Sequence, residues 1–167
     1  MTITFRPYSR QDREACERVF RSNMPRWLRE HELPEFMAFL DMGECPYFVV
    51  EHAGQIVGCG GYGRRPGIDV ADLCWGMVDR QWHGQGIGRQ LLLHRLVAIA
   101  ADNSFVAVRL GTSQLTEKFY SRCGFVTVER KEDGIAAGLD VVEMRLELTP
   151  AERSRILEGH YTRNGPG

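Results

Sequence analysis

A strand-like run ending at Met77-Val78 passes through Asp79-Arg80-Gln81-Trp82 into His83-Gly84-Gln85-Gly86-Ile87-Gly88-Arg89, where a long apolar helical pattern begins. Glycines at a strand-to-helix turn let the backbone approach a ligand closely, and the first N–H groups of the helix have no intrahelical acceptor. With the positive end of the helix dipole behind them, those groups favour an anion, and a diphosphate suits the three glycines. His83, Gly84, Gln85, Gly86, Ile87, Gly88 and Arg89 are therefore the candidate diphosphate-binding residues. The spacing disfavours two common loops. Arg89-Gln90-Leu91 follows Gly86-Ile87-Gly88, so the third glycine of the GxGxxG fingerprint is missing, and no GxxxxGK[ST] loop occurs. A second glycine run, Gly58-Cys59-Gly60-Gly61-Tyr62-Gly63, leads into Arg64-Arg65-Pro66-Gly67 instead of a helix and reads as strand with a bulge or bend.

Other reactive residue types are dispersed. Asp72 is a lone carboxylate on the strand that enters the turn, and Tyr120 lies in Phe119-Tyr120-Ser121-Arg122-Cys123-Gly124-Phe125. Cys16, Cys45, Cys59, Cys74 and Cys123 are odd in number, scattered and without a CxxC pair, which disfavours a disulfide framework and a zinc site. They read as reduced, mostly core thiols, and nothing in the sequence activates Cys74 as a nucleophile. His31, His52, His94 and His160 show no ligand spacing, so no metal is expected.

The elements that must position these residues follow from periodicity and punctuation. Thr2 to Arg6 reads as a strand, and Ser9 with Asp12 forms a capping box for a helix burying Ala15, Cys16, Val19 and Phe20. A second helix lies within 21–42, with Pro34 near its first turn and Gly43 past its end. Strands at Tyr47–Glu51 and Ile56–Tyr62 flank a turn in which Gly54 can take positive φ, and a third strand runs from Ile68 to Val78. Gly86 to Ala101 is apolar on most faces, as in a helix packed on a sheet. Phe105 to Leu110 is short and apolar enough for a buried strand, so strand, helix and strand imply a parallel crossover. Ser113 caps a helix ending at Gly124, and strands follow at Phe125–Glu129 and Val142–Leu148. Thr149-Pro150-Ala151-Glu152 starts a short C-terminal helix before a frayed tail. The division is thus one domain over 1–149, with the short helix and tail over 150–167.

A chain of 167 residues with 43% apolar and 26% charged residues can bury one core. A net charge of -1 supplies no basic footprint, so nucleic acid is not an expected partner. The N-terminus lacks a signal pattern and no apolar run approaches the ~20 residues of a membrane span. A cytoplasmic protein with no membrane partner is the expectation.

Two segments carry a resemblance to a known family. His83-Gly84-Gln85-Gly86-Ile87-Gly88 resembles the coenzyme A-binding signature Q/R-x-x-G-x-G/A of the GCN5-related N-acetyltransferases, with His at the first position. Phe119-Tyr120-Ser121-Arg122-Cys123-Gly124-Phe125 resembles the same family's Phe-Tyr-x-x-x-Gly-Phe segment, and the order of elements matches over residues 3 to 148. The resemblance implies a single-domain α/β (α+β) acyl-CoA N-acyltransferase fold. Its sheet is mixed and mostly antiparallel, with a parallel splayed central pair and about four flanking helices.

It also implies a transferase for which acetyl-CoA is the cosubstrate, moving an acetyl group directly to a primary amine of a small molecule, amino acid or peptide. On that pattern the backbone of Met77 and Val78 binds pantetheine and polarises the thioester carbonyl, His83 to Arg89 hold the pyrophosphate, and Ser113 lies near the pantetheine arm. Tyr120 matches the tyrosine that protonates the departing thiolate. Asp72 stands on the strand where many relatives carry a glutamate base. The second glycine run would border the acceptor, and Arg64 and Arg65 after it read either as a solvated turn or as attraction for an acidic acceptor. Two other readings stay open: acetylation of protein N-termini or lysines, and a non-catalytic acetyl-CoA-binding sensor. A homodimer would form through sheet edges or the C-terminal helix.

Overall fold

The computed structural model describes residues 2–159. Seven strands, β1 (Thr4–Pro7), β2 (Tyr47–His52), β3 (Gln55–Arg64), β4 (Val70–Val78), β5 (Ala107–Thr112), β6 (Val126–Ala136) and β7 (Leu139–Glu147), form one mixed sheet. Its order is β1-β2-β3-β4-β5-β7-β6. Five helices accompany it: α1 (Arg13–Ser22), α2 (Leu33–Met42), α3 (Ile87–Ala101), α4 (Gln114–Arg122) and α5 (Pro150–Leu157). The α/β class with a parallel central pair is borne out: β4 and β5 pair in parallel, and β5 with β7 and β6 with β7 pair antiparallel. The parallel ladder is short. It joins Val70 with Ala107, Ala71 with Val108 and Asp72 with Arg109, although β4 continues to Val78 and β5 to Thr112.

The chain forms two compact units, one of residues 2–63 with 74–95 and one of 64–73 with 96–159. In the first, a 3-10 turn with the Ser9/Asp12 capping box opens α1, whose Cys16, Val19 and Phe20 are fully buried. They pack with Phe36 and Leu40 of α2 and with Tyr47, Val49, Cys59 and Met77 of the strands. Gly43 ends α2 at φ 63, a conformation that glycine adopts without steric cost. Val50, Val57 and Val78 pack on Ile87 and Leu91 of α3 as a second cluster. The bulge expected in the glycine run falls just before it. Val50 pairs with Gly58 but Glu51 pairs with Ile56, which leaves Val57 as the extra residue.

Gly60 and Gly76 have a different purpose, because a Cβ on Gly76 would stand 2.7 Å from the buried guanidinium of Arg95 and one on Gly60 would stand 3.3 Å from it. Arg95 is only 2% exposed and donates to the carbonyls of Leu91 and Gly61, so these glycines make room for a buried cation.

In the second unit, Val108, Leu110, Val142, Met144 and Leu146 form a buried strand face with Leu96 and Ile99 of α3 also buried. The β6–β7 hairpin is longer than periodicity suggests, since β6 continues through Arg130-Lys131-Glu132-Asp133 to a turn with Gly138 at φ 75. Most of that strand is exposed, so it carries no alternating apolar signal. Arg153 anchors α5, donating to the carbonyls of Ala100 and Phe105 at 2.6 Å each. The expected tail from His160 onward lies outside the described residues.

Candidate active site

The first unit carries the glycine turn. Asp79 is buried and accepts from Gln81 N–H at 3.1 Å, while its own N–H donates to Val57 at 2.9 Å. This pins the chain as it leaves β4. Gly84 and Gly86 take φ 75 and φ 81, and no atom lies within 4 Å of where a Cβ on either would stand. Both are exposed, and α3 starts at the next residue, Ile87, which is buried. The result is an open backbone cradle at a helix N-terminus, where N–H groups and the helix dipole favour a bound anion.

The end of β4 is fixed from two sides. The carbonyl of Val78 accepts from Asn23 Nδ2 at 2.9 Å and lies 2.8 Å from His83 Nε2. Asn23 also donates to Val19 at 2.8 Å and is only 3% exposed. His83 itself meets Trp27 edge-on at 4.9 Å, and Arg26 and Arg80 lie over the same indole. The contact of Asn23 with this strand end was not legible, because a single amide at a helix end has no motif. Upstream, Trp75 adopts φ 43, a strained conformation for a residue with a Cβ. Tyr47 stabilises it by donating from its hydroxyl to the Trp75 carbonyl at 2.9 Å, and burial pushes the Tyr47 phenol pKa up. The Trp75 ring packs on Phe20 and Phe36.

The second unit carries the remaining candidates. Ser113 is buried and caps α4, its hydroxyl accepting from Leu115 N–H at 3.3 Å. Tyr120 is half-buried on α4, edge-on to Phe119 and Phe125. Its carbonyl accepts from Cys123 and Phe125 N–H, so the helix end and the start of β6 hold its backbone. Asp72 faces two guanidinium groups, with Arg109 Nε at 2.9 Å and Arg65 Nε at 2.8 Å. The two arginines at the end of β3 therefore part company. Arg64 stacks on Phe105 at 3.9 Å and binds Asp69 and Ser104, whereas Arg65 joins Asp72.

With this geometry in view, the relatives can be placed. The model of the acetyltransferase (GNAT) domain matches residues 13–148. The chain belongs to the GNAT acetyltransferase family, and its enzyme class is N-acetyltransferase. That family uses acetyl-CoA as the acetyl donor. No curated protein matches the chain. Among solved structures, a GNAT-family protein from Desulfovibrio desulfuricans superposes with TM-score 0.77 at 22% identity, covering 89% of this chain and 100% of its own. The ribosomal-protein-S18-alanine N-acetyltransferase of Escherichia coli gives 0.72 at 17%, covering 89% and 95%. An aminoglycoside 6'-N-acetyltransferase complexed with coenzyme A gives 0.72 at 15%, covering 90% and 98%. At these identities the likeness is one of fold. Among the described residues, no helix is long and apolar enough to cross a membrane.

Proposed function

We propose that the chain transfers an acetyl group from acetyl-CoA directly to a primary amine of a small molecule, amino acid or peptide while both substrates are bound. The observation that carries this reading is the cradle at Gly84 and Gly86, open on the side a side chain would fill and set at the start of α3. A pyrophosphate fits it through backbone N–H groups. His83, Gln85, Ile87, Gly88 and Arg89 complete the binding segment.

In the proposed reaction the acceptor amine, having lost a proton, attacks the thioester carbonyl. The new C–N bond forms and the C–S bond breaks. Backbone groups of Met77 and Val78 bind the pantetheine arm and polarise the carbonyl, aided by Ser113 beside the arm, an oxyanion-type role that needs fixed dipoles. The fastening of Val78 by Asn23 and His83 supports such rigidity. Tyr120 gives its phenolic proton to the departing thiolate, and the amine's surplus proton leaves to a carboxylate or water. Asp72 is the carboxylate the sequence offers for that step. Because aspartate is shorter than the glutamate many relatives carry on this strand, we assign it contact with the acceptor through water.

The test is calorimetric titration with acetyl-CoA, followed in the same preparation by a thiol-release screen against amines, amino acids and peptides. Binding with turnover is expected. Folded protein that does not bind acetyl-CoA would remove the reading.

A further inference from the structure

One face of the β5–β7 pair in the second unit is apolar and the other is charged. Val108, Leu110, Met144 and Leu146 are buried on the first. Arg109 pairs with Arg145 and Gly111 with Glu143, so these four occupy the second. Parallel pairing with Arg109 brings Asp72 onto the charged face as well. One carboxylate, Asp72, then faces two guanidinium groups, Arg109 and Arg65, and the cluster is net positive.

Glu143 is the opposite case. Its Oε1 lies 3.1 Å from where a Cβ on Gly111 would stand, so the missing side chain at Gly111 is what lets the carboxylate lean across β5. Among the described residues no hydrogen bond or ion pair engages it, although it is half-buried. Arg109 and Gly111 are one pleat repeat apart, about 7 Å. A net-positive cluster and an uncompensated carboxylate thus sit side by side, next to the end of the β4–β5 ladder at Asp72 and Arg109.

We propose that this face recognises the acceptor, and that the acceptor is an amine carrying an anionic group, an amino acid or close analogue. Glu143 holds the ammonium, and Arg65 with Arg109 holds the anion while Asp72 keeps both guanidinium groups in place. This rests on the acetyl-transfer reading, of which it specifies the acceptor side. A polyamine would set a second cation against the net-positive cluster, a repulsion that selects against it. A neutral amide of the same amine would lose one charge-assisted contact, worth about tenfold in affinity.

The experiment begins with calorimetry of acetyl-CoA alone. Thiol release is then compared for α-, β- and γ-amino acids, their carboxamides and spermidine. At least one amino acid is expected to turn over with kcat/KM about tenfold above its carboxamide. Arg65 is exposed, so Arg65→Gln should fold normally; it is expected to raise KM for the acid about tenfold more than for the carboxamide, closing the gap between them. Glu143→Gln should depress both, because both keep the ammonium. Preference for carboxamides or spermidine, an acid-to-amide ratio unmoved by Arg65→Gln, or no amino acid acetylated by protein that binds acetyl-CoA overturns the assignment. Absence of acetyl-CoA binding overturns the transfer reading and this assignment with it.

Discussion

Asn23 Nδ2 and the carbonyl of Val78 lie 2.9 Å apart, so a buried amide at the C-terminal end of α1 holds the last residue of β4. His83 Nε2 approaches the same oxygen at 2.8 Å, which engages both acceptor directions of that carbonyl. Removing the buried donor should be felt twice. Asn23→Ala removes one donor from each of the Val78 and Val19 carbonyls, which keep His83 Nε2 and Ser22 Oγ, and is expected to cost about 1 kcal/mol of stability. It should also loosen the strand end proposed to bind pantetheine. Thermal denaturation and calorimetry together check this: a lower Tm with weakened acetyl-CoA binding is expected, and wild-type affinity would show that Asn23 supports the fold alone.

Gly86 separates backbone strain from ligand exclusion. Its φ of 81 costs a residue with a Cβ about 1 to 2 kcal/mol, yet nothing in the protein stands within 4 Å of that Cβ. Gly86→Ala should therefore fold with a modest loss of stability and weakened acetyl-CoA affinity. Gly86→Glu adds negative charge where the pyrophosphate is proposed to lie and should abolish binding. Calorimetry on both variants, with far-ultraviolet circular dichroism as a folding control, makes the comparison. Unchanged affinity in Gly86→Glu would move the diphosphate elsewhere.

Tyr120 is tested by removing one oxygen atom. Tyr120→Phe keeps the edge-on packing against Phe119 and Phe125, so the ring is expected to stay in place while the hydroxyl is lost. If the hydroxyl protonates the thiolate, kcat should fall about a hundredfold with little change in KM for acetyl-CoA. Steady-state kinetics across pH decides it, and an intact kcat at every pH would assign the proton to another group.

The parts of the molecule that were legible in the sequence are those whose signals are local. The Ser9/Asp12 box, Pro34 early in α2, Gly43 past its end and the Ser113 and Thr149 caps each satisfy backbone groups within a few residues, so composition alone located them. The cradle was legible for the same reason, since strand, glycines and helix are contiguous. What was not legible depends on partners far along the chain. Asn23 meets Val78 across 55 positions and Asp72 meets Arg109 across 37. Gly60 and Gly76 are small because Arg95 comes to lie beside them, a reason that no pattern within β3 or β4 contains. The extension of β6 was hidden because an exposed strand has no apolar period to read.

Acid should destabilise the protein through Asp12. Its carboxylate is buried, with 8% of the side chain exposed, and receives both terminal nitrogens of Arg6 at 2.7 and 2.8 Å as well as the Ser9 N–H at 2.8 Å. The Arg6 guanidinium, followed by the Ser9 contacts, holds the Asp12 carboxyl below its ordinary value of 3.8, against the opposing effect of burial. A folded pKa below the unfolded one means that the unfolded chain binds the proton more readily. The pair's stabilisation is thus fully present above the unfolded value and is lost as pH falls below about 4 towards the lowered folded value. Arg6→Met should remove this at its source. At neutral pH it leaves Asp12 buried beside Ser9 without its cation, with an expected loss of about 1 to 3 kcal/mol. Below about pH 4 the difference between variant and wild type should narrow, because protonation removes the charge that Arg6 neutralises. Urea denaturation of both proteins from pH 7 down to pH 3 measures that difference directly, and a gap that stays constant with pH would assign the effect of Arg6 to packing.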